Sequence, residues 1–212
     1  MRQTNSAGTK FEIYTISELI AFRISSPYID ESILDADPSF YGLLGVKPID
    51  IIKTAELLIR DQYSDLFNPR FIVSQSGILG FYTAYPVNEI HQRELYSLSK
   101  WLAISLNMKD FIFRVRKLKG HKDSFDKEDY LYLSRICVRQ SFRGLGLGSL
   151  MLDDLHNYAQ EHGYLGTVLH VTSNNALAQK LYSNKGYKFN GISGNSSDQA
   201  HTRYLVMSRE IN

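Results

Sequence analysis

The chain has 212 residues, 43% of them hydrophobic, which is enough to bury a sizeable core in one domain. Its 24 Lys and Arg residues nearly cancel its 22 Asp and Glu residues, and the formal charge of +2 gives no electrostatic argument for binding nucleic acid or an anionic membrane. The only cysteine, Cys137, excludes an intramolecular disulfide, and the polar N-terminus and lack of a long apolar run predict a cytoplasmic protein.

The N-terminal part predicts a strand, two helices and an irregular link. Residues 11–16 alternate like a strand, and Ser17 opens a short apolar helical patch. Residues 26–48 are rich in Pro, Asp, Ser and Gly and are predicted to be irregular. Asp50 is the predicted N-cap of a helix that ends before Pro69. Its apolar residues recur with a helical period at Ile51, Ile52, Ala55, Leu58 and Ile59.

A hairpin and a candidate insertion come next. Residues 71–73 and 78–85 are β-rich runs separated by a glycine-containing turn, and Pro86 ends the second strand. Residues 87–129 are interpreted as a possible helix-strand insertion, with an alternating strand over 111–115. The predicted face of its helix carries Leu95, Leu98, Leu102 and Leu106.

The rest of the chain alternates strands with helices. Strands are predicted over 130–138, 167–171, 187–192 and 203–207, with a mobile polar loop over 193–201. One helix begins near Leu147 and ends at Gly163; a second is capped by Asn174 or Asn175 and ends at Gly186. This order implies a mixed α/β sheet.

The turn before the first of these helices is a candidate anion site. It consists of Arg143, Gly144, Leu145, Gly146, Leu147 and Gly148. Glycines bring backbone N–H groups close to a ligand, and the helix that comes after them adds the positive end of its dipole, so a pyrophosphate fits there. Close packing of a strand and a helix would explain the glycines equally well. No Gly-Lys-Ser/Thr comes next, which excludes a P-loop, and the next strand ends without the acidic residue of a dinucleotide fold.

Five positions within this turn and beyond it carry a resemblance to a known family. Arg143, Gly146 and Gly148 match a Q/R-x-x-G-x-G/A signature, and Asn175 and Tyr182 have the spacing expected in the following helix. In these positions the chain resembles the GNAT superfamily of acyl-CoA-dependent N-acyltransferases. The resemblance covers roughly a quarter of the chain by motif, and everything from the first hairpin onward by the order of its elements.

The resemblance implies an α/β (α+β) fold: a mixed, largely antiparallel, splayed β-sheet flanked by helices, in a single domain over residues 1–212. It implies transfer of an acetyl or other acyl group from acetyl-CoA to a primary amine by direct attack in a ternary complex, without a metal. The acceptor, a small-molecule amine or an amine of a protein or peptide, stays open, as does a homodimer. The alternative is a noncatalytic acyl-CoA sensor or interaction module.

The resemblance also implies roles for individual residues. Its cofactor-binding positions are Ile136, Cys137, Val138, Arg143, Gly144, Leu145, Gly146, Leu147, Gly148, Ser149, Asn175 and Tyr182. The main chain of Ile136 and Val138 would hold the pantetheine arm, while the Cys137 side chain points to the opposite face. The N–H of Val138 is the implied oxyanion donor, and the phenol of Tyr182 the implied acid that protonates the departing thiolate.

The base is not assigned by this comparison. Tyr132 and Ser134 occupy the strand positions at which relatives place Glu or His, and neither is a good base at neutral pH. A water relay stays open, and so does a base from elsewhere, with candidates Glu128, Asp129 and His170. Simple packing roles for Tyr182 and His170 also stay open.

Overall fold

The computed structural model describes residues 2–4, 10–22, 29–36, 38–105, 127–193 and 204–211. The predicted strand over 111–115, Leu106 of the predicted helix face and nearly all of the predicted loop over 193–201 lie outside these ranges. None of the helices in the described ranges is long and apolar enough to cross a membrane.

The described residues contain strands, α-helices and short 3-10 helices. The strands are β1 (Arg2–Thr4), β2 (Lys10–Thr15), β3 (Arg70–Ser74), β4 (Gly77–Pro86), β5 (Tyr130–Val138), β6 (Gly166–Thr172), β7 (Lys188–Ser193) and β8 (Tyr204–Glu210). The α-helices are α1 (Ile16–Ala21), α2 (Pro38–Leu43), α3 (Pro48–Leu58), α4 (Ile90–Ile104), α5 (Leu147–Glu161) and α6 (Ala176–Asn184). The 3-10 helices span Glu31–Asp35, Val87–Glu89 and Gln140–Phe142.

The described strands form one sheet in the order β1-β2-β3-β4-β5-β6-β8-β7. Every neighbouring pair is antiparallel except β5 and β6, which are parallel. That pair extends only from Tyr130 and Gly166 to Leu133 and Leu169, although both strands continue further. The sheet is therefore splayed between β5 and β6, and the predicted mixed, largely antiparallel sheet is confirmed.

Strand β5 contains one residue more than its partner β4 at a bulge. Leu133 pairs with Ala84 and Arg135 with Thr83, which leaves Ser134 as the extra residue. An extra residue reverses which side chains face each side of the sheet. Leu133 therefore shares a core with Ile136, although residues three positions apart face opposite sides of a regular strand.

Helices cover both faces of the sheet. On one face, α1, α3 and α4 pack with the 3-10 helix Glu31–Asp35 over a core that contains Phe71, Phe81 and Trp101. On the other, α5 and α6 pack over a core that contains Met151 and Leu155. The gap between the splayed strands β5 and β6 therefore lies between two helical layers.

Helix α5 is also fixed to the sheet by a buried carboxylate. Asp154 lies 2.8 Å from the Nε of Arg70 and accepts a 2.6 Å hydrogen bond from the Tyr82 hydroxyl. Burial and the nearby Asp154 carboxylate raise the pKa of Tyr82, so this phenol stays a donor. Helix α5 is thus held in a set position against β3 and β4.

Two predicted helix starts are wrong, that of α1 by two residues and that of α3 by three. Thr15, not Ser17, caps α1, because its hydroxyl and the carboxylate of Glu18 form a reciprocal capping box. Helix α3 begins at Pro48, which is well suited to a first helical position, and Asp50 lies in the first turn. The predicted apolar period of α3 is largely confirmed, since its members other than Ile52 are buried.

Two further predictions are corrected. Part of the segment predicted to be irregular forms the 3-10 helix Glu31–Asp35, which Asp30 caps, and α2. In α4 the buried residues are Ile90, Ser97 and Trp101, whereas Leu95 from the predicted face is exposed. Ser97 is buried because its hydroxyl accepts a 2.9 Å hydrogen bond from the Asp65 N–H, so a polar side chain takes part in the packed face.

Candidate active site

A cavity of about 1180 Å³ lies where β5 and β6 separate. The second half of β5, the end of β6, the glycine turn and α6 line one end of the cavity. Residues of α2, α4 and the loop before β3 line the other. The cavity thus connects the two helical layers through the gap in the sheet.

The glycine turn presents unpaired backbone N–H groups to this cavity. Gly144 and Gly146 both have φ of +80°, and a side chain at either would project into open space. Gly146 is the N-cap of α5 and provides no side chain to its first turn, which contains no acidic residue. The first N–H groups of the helix therefore point outward without internal acceptors, and the local dipole favours an anion.

Close packing brings α6 against this turn. A Cβ on Gly148 would lie 3.0 Å from the Cδ2 of Leu181, so any larger residue here would require the Leu181 side chain to shift. The side chain of Asn175 caps α6 by accepting a 3.1 Å hydrogen bond from the Ala178 N–H. These contacts set the position of Tyr182, which comes directly after Leu181 in the same helix.

Tyr182 is buried and lines the cavity. Burial raises its pKa well above the ordinary tyrosine value, and the neighbouring Tyr187 adds to the effect. The phenol therefore keeps its proton at neutral pH and can donate it. The structure places Tyr182 both in the core and at the cavity, so a packing role does not prevent contact with a bound ligand.

The end of β5 lines the same cavity as this phenol. Ile136 and Val138 contact the core beneath α5, whereas Cys137 is buried in the core of the opposite face. Burial raises the pKa of the Cys137 thiol to about 12, so it stays protonated and has no nucleophilic character. Gly80 of β4 allows close approach here, since a Cβ would lie 2.3 Å from the Cys137 carbonyl oxygen.

Arg143 is held by the protein itself. Its Nε donates a 3.0 Å hydrogen bond to the Val138 carbonyl, and its guanidinium forms an ion pair with Asp35. Arg139 forms a second ion pair nearby, 2.7 Å from Asp30. The two arginines attach the 3-10 helix to the turn, so the Arg143 side chain, although exposed, is held by partners within the protein.

The candidate bases differ in whether they line the cavity. The Tyr132 hydroxyl and the Nδ1 of His170 lie 3.1 Å apart in a hydrogen bond, and both side chains line the cavity. Ser134 is turned toward Arg135, whose guanidinium donates to its hydroxyl over 3.2 Å. Glu128 and Asp129 are exposed at the start of β5, and neither lines the cavity.

The sequence did not point to the other end of the cavity. That end is lined by Phe40, Asp65, His91, Glu94, Ser97 and Trp101. Asp65 is buried and lies 3.4 Å from the guanidinium of Arg135. These residues come from segments without a recognisable motif, and the only available signal was the apolar period of α4.

Known proteins share the sequence pattern that surrounds this cavity. A model of the Acetyltransferase (GNAT) family matches residues 54–187, more than half of the chain. The chain belongs to the GNAT family. The resemblance carried by Arg143, Gly146 and Gly148 is thereby confirmed. No curated protein sequence matches this GNAT protein significantly.

Solved structures share its fold at low sequence identity. The crystal structure of an acetyltransferase superposes with a TM-score of 0.64 at 19% identity, covering 95% of this GNAT protein and 100% of that chain. A GNAT family acetyltransferase from Elizabethkingia anophelis with acetyl-CoA bound gives 0.53 at 15%, covering 94% and 97%. The ribosomal-protein-S18-alanine N-acetyltransferase from Escherichia coli gives 0.51 at 14%, covering 95% and 94%.

Proposed function

We propose that this protein is an N-acetyltransferase that moves an acetyl group from acetyl-CoA to a primary amine by direct attack in a ternary complex. The observation that carries the proposal is the meeting, in one cavity, of the uncapped start of α5, the gap between β5 and β6, and the buried phenol of Tyr182. A similar structure from Elizabethkingia anophelis has acetyl-CoA bound, and a similar one from Escherichia coli is an N-acetyltransferase.

The residues present fit acetyl-CoA. The backbone N–H groups of the segment from Arg143 to Ser149 would hold its pyrophosphate, apart from that of Arg143 itself, which donates to the Gln140 carbonyl. The start of α5 in this segment has outward N–H groups and a favourable dipole. The main chain from Ile136 to Val138, on the side of β5 that β6 leaves unpaired, would hold the pantetheine arm. Asn175 lines the cavity beside this path. Bound acetyl-CoA supplies the activated acyl group.

Two residues of this chain would act on the reacting groups. The N–H of Val138, on the rigid strand β5, would donate to the oxyanion that develops as the amine attacks the carbonyl. The hydroxyl of Tyr182 would give its proton to the departing sulfur, and its raised pKa keeps it protonated until then. Holding amine and thioester together would supply much of the remaining acceleration.

The amine must also lose a proton, and the Tyr132–His170 pair would accept it. The Tyr132 hydroxyl would pass its own proton to the Nδ1 of His170 and take the proton from the amine, so neither side chain has to act as a base alone. This role is favoured over one for Glu128 or Asp129, because those carboxylates lie outside the cavity.

Calorimetric titration with acetyl-CoA tests the donor side. We expect binding in the micromolar range, and absence of binding at high micromolar concentration would contradict the proposal. Release of free thiol in the presence of a panel of amines, peptides and aminoglycosides then tests the transfer. Binding without turnover on any of these amines would favour the noncatalytic acyl-CoA sensor.

A further inference from the structure

Helix α4 presents a face to the end of the cavity away from the glycine turn. Its residues His91, Glu94, Leu95, Leu98 and Trp101 line the cavity, three or four positions apart as one face of a helix requires. This face is polar at the start of the helix and apolar beyond it. Leu95 is 38% exposed and Leu98 is half-buried, so both leucines keep surface that a ligand can touch.

Apolar side chains of α2 continue this surface. Pro38 and Phe40 line the same end of the cavity, and Pro38 is exposed whereas Phe40 is half-buried. The Phe40 ring packs edge-to-face against Trp101 of α4, with the ring centroids 6.1 Å apart. Helices α2 and α4 thus meet in one apolar wall, whose accessible members are Pro38, Phe40, Leu95 and Leu98.

The polar side chains behind this wall are engaged within the protein. Asp65 is buried and lies against the guanidinium of Arg135. The Ser97 hydroxyl accepts from the Asp65 N–H and donates to the Ser64 hydroxyl over 3.3 Å. Glu94 also has an interaction partner in the chain. Beyond the start of α4, the surface that a ligand can cover at this end is therefore mainly apolar.

The apolar wall belongs to the same cavity as the pair proposed to accept the amine proton. Arg93 of α4 lies over the Tyr85 ring, 5.3 Å from its centroid, and the Tyr85 and Tyr132 ring centroids are 5.5 Å apart. Helix α4 is thus two side-chain contacts away from Tyr132. An amine whose nitrogen meets the Tyr132 hydroxyl can therefore extend its carbon chain along α4.

We propose that the acceptor is an amine with an uncharged apolar chain, which packs against the apolar wall while its nitrogen meets the Tyr132–His170 pair. The inference rests on the proposed function for the identity of the reacting amine. Each methylene buried against such a wall tightens binding about fourfold. Apolar side chains offer no acceptor to the further ammonium groups of an aminoglycoside, so apolar monoamines should be preferred over such polycations.

Two amines of equal length and equal charge isolate the apolar contact. They are 1-aminoheptane and 2-(2-methoxyethoxy)ethylamine, in which two ether oxygens replace two methylenes. We expect calorimetry, with the protein free and in the presence of CoA, to give about tenfold tighter binding of 1-aminoheptane. In Leu95→Gln, which keeps a helix-forming residue of similar size, this preference should fall about threefold. Leu57→Gln makes the same change at an exposed position of α3 outside this cavity and should keep the full preference.

Equal binding of the two amines by the wild-type protein, or tighter binding of the ether, would overturn the inference, and neither result depends on whether a variant folds. An undiminished preference in a folded Leu95→Gln protein would overturn it as well, since the chain would then bind elsewhere. The proposed function fails differently, through absence of acetyl-CoA binding or of thiol release. Binding of 1-aminoheptane that depends on Leu95, together with a failure to bind acetyl-CoA, would establish the apolar site and refute the transferase proposal.

Discussion

Tyr182 combines burial with access to the cavity, and this combination suits a leaving-group acid. Replacing it with Phe keeps the ring and removes only the proton donor. We expect kcat to fall about 10²-fold, the usual contribution of a positioned acid, while the Kd for acetyl-CoA changes little. Steady-state kinetics measures kcat, and calorimetry measures the Kd for acetyl-CoA. The matched control is Tyr187→Phe, which removes a neighbouring buried hydroxyl that does not line the cavity. Unchanged kcat in Tyr182→Phe would remove the proposed role.

The Tyr132–His170 pair leads to a different kind of prediction, because its two members are proposed to act as one unit. His170→Gln and Tyr132→Phe should each lower kcat/KM by about 10²-fold, and the double variant should lose little more than either single one. Rates of thiol release by the wild-type protein, the two single variants and the double variant test this non-additivity. Losses that multiply in the double variant would mean that the two side chains act independently.

At the scale of elements, the proposed binding of the pyrophosphate at the start of α5 can be tested by substituting the glycine there. The glycine that follows the end of the same helix provides the control. Gly146 precedes the helix at φ of +80° and Gly163 comes after it at φ of +76°, and a Cβ at either would meet no neighbour. Leucine at either position carries a similar backbone penalty, of order 1 to 2 kcal/mol. Only Gly146→Leu also fills the cavity, so it should abolish acetyl-CoA binding, while Gly163→Leu binds normally.

Thermal melts followed by circular dichroism should show that both glycine variants are folded. A Gly163→Leu protein that also loses acetyl-CoA would contradict the prediction, because the loss would then come from helix stability. Retention of binding by a folded Gly146→Leu protein would contradict the placement of the pyrophosphate at this turn.

The part of the cavity proposed to bind the donor could be predicted from the sequence because its signals are local. The Gly146 and Gly148 turn, the Asn175 cap and Tyr182 lie within two consecutive strand-to-helix units, so residue spacing specifies their geometry. Asp65 could not be found in this way. Its surroundings depend on Arg135, seventy residues away in sequence, and on α4, whose buried face includes a serine that an apolar period overlooks.

For the whole molecule, the order of elements was enough to predict the mixed sheet, since it results from alternating periodicities and turn residues. The bulge at Ser134 was not predictable, because it changes pairing without changing composition. The prediction of a single domain over residues 1–212 stays a prediction.

The stability of the whole fold should depend on pH through one buried histidine. His156, on α5, is hydrogen-bonded to Tyr187 and contacts Arg209 of β8. Burial, and then the Arg209 charge, lower its pKa from 6.5 to about 4. The unfolded chain binds the proton more readily within this window, so stability present above pH 6.5 is lost as the pH falls toward 4.

Urea unfolding between pH 7 and 4.5 measures this effect. His156→Gln should flatten the decline in unfolding free energy over that range, whereas His162→Gln, at the exposed C-terminal end of α5, should leave it as in the wild type. Parallel curves for the wild type and His156→Gln would show that other groups govern the acid sensitivity.

The extra residue in β5 limits how this strand can vary in length. Loss of one codon between Leu133 and Ile136 would restore regular pairing with β4 and turn the last residues of the strand over. The thiol of Cys137 would then replace apolar side chains beneath α5, and Val138 would enter the opposite core. A substitution at Ser134 is a small change by comparison. We therefore expect natural variation to change the residue type at position 134 but to preserve the number of residues in β5.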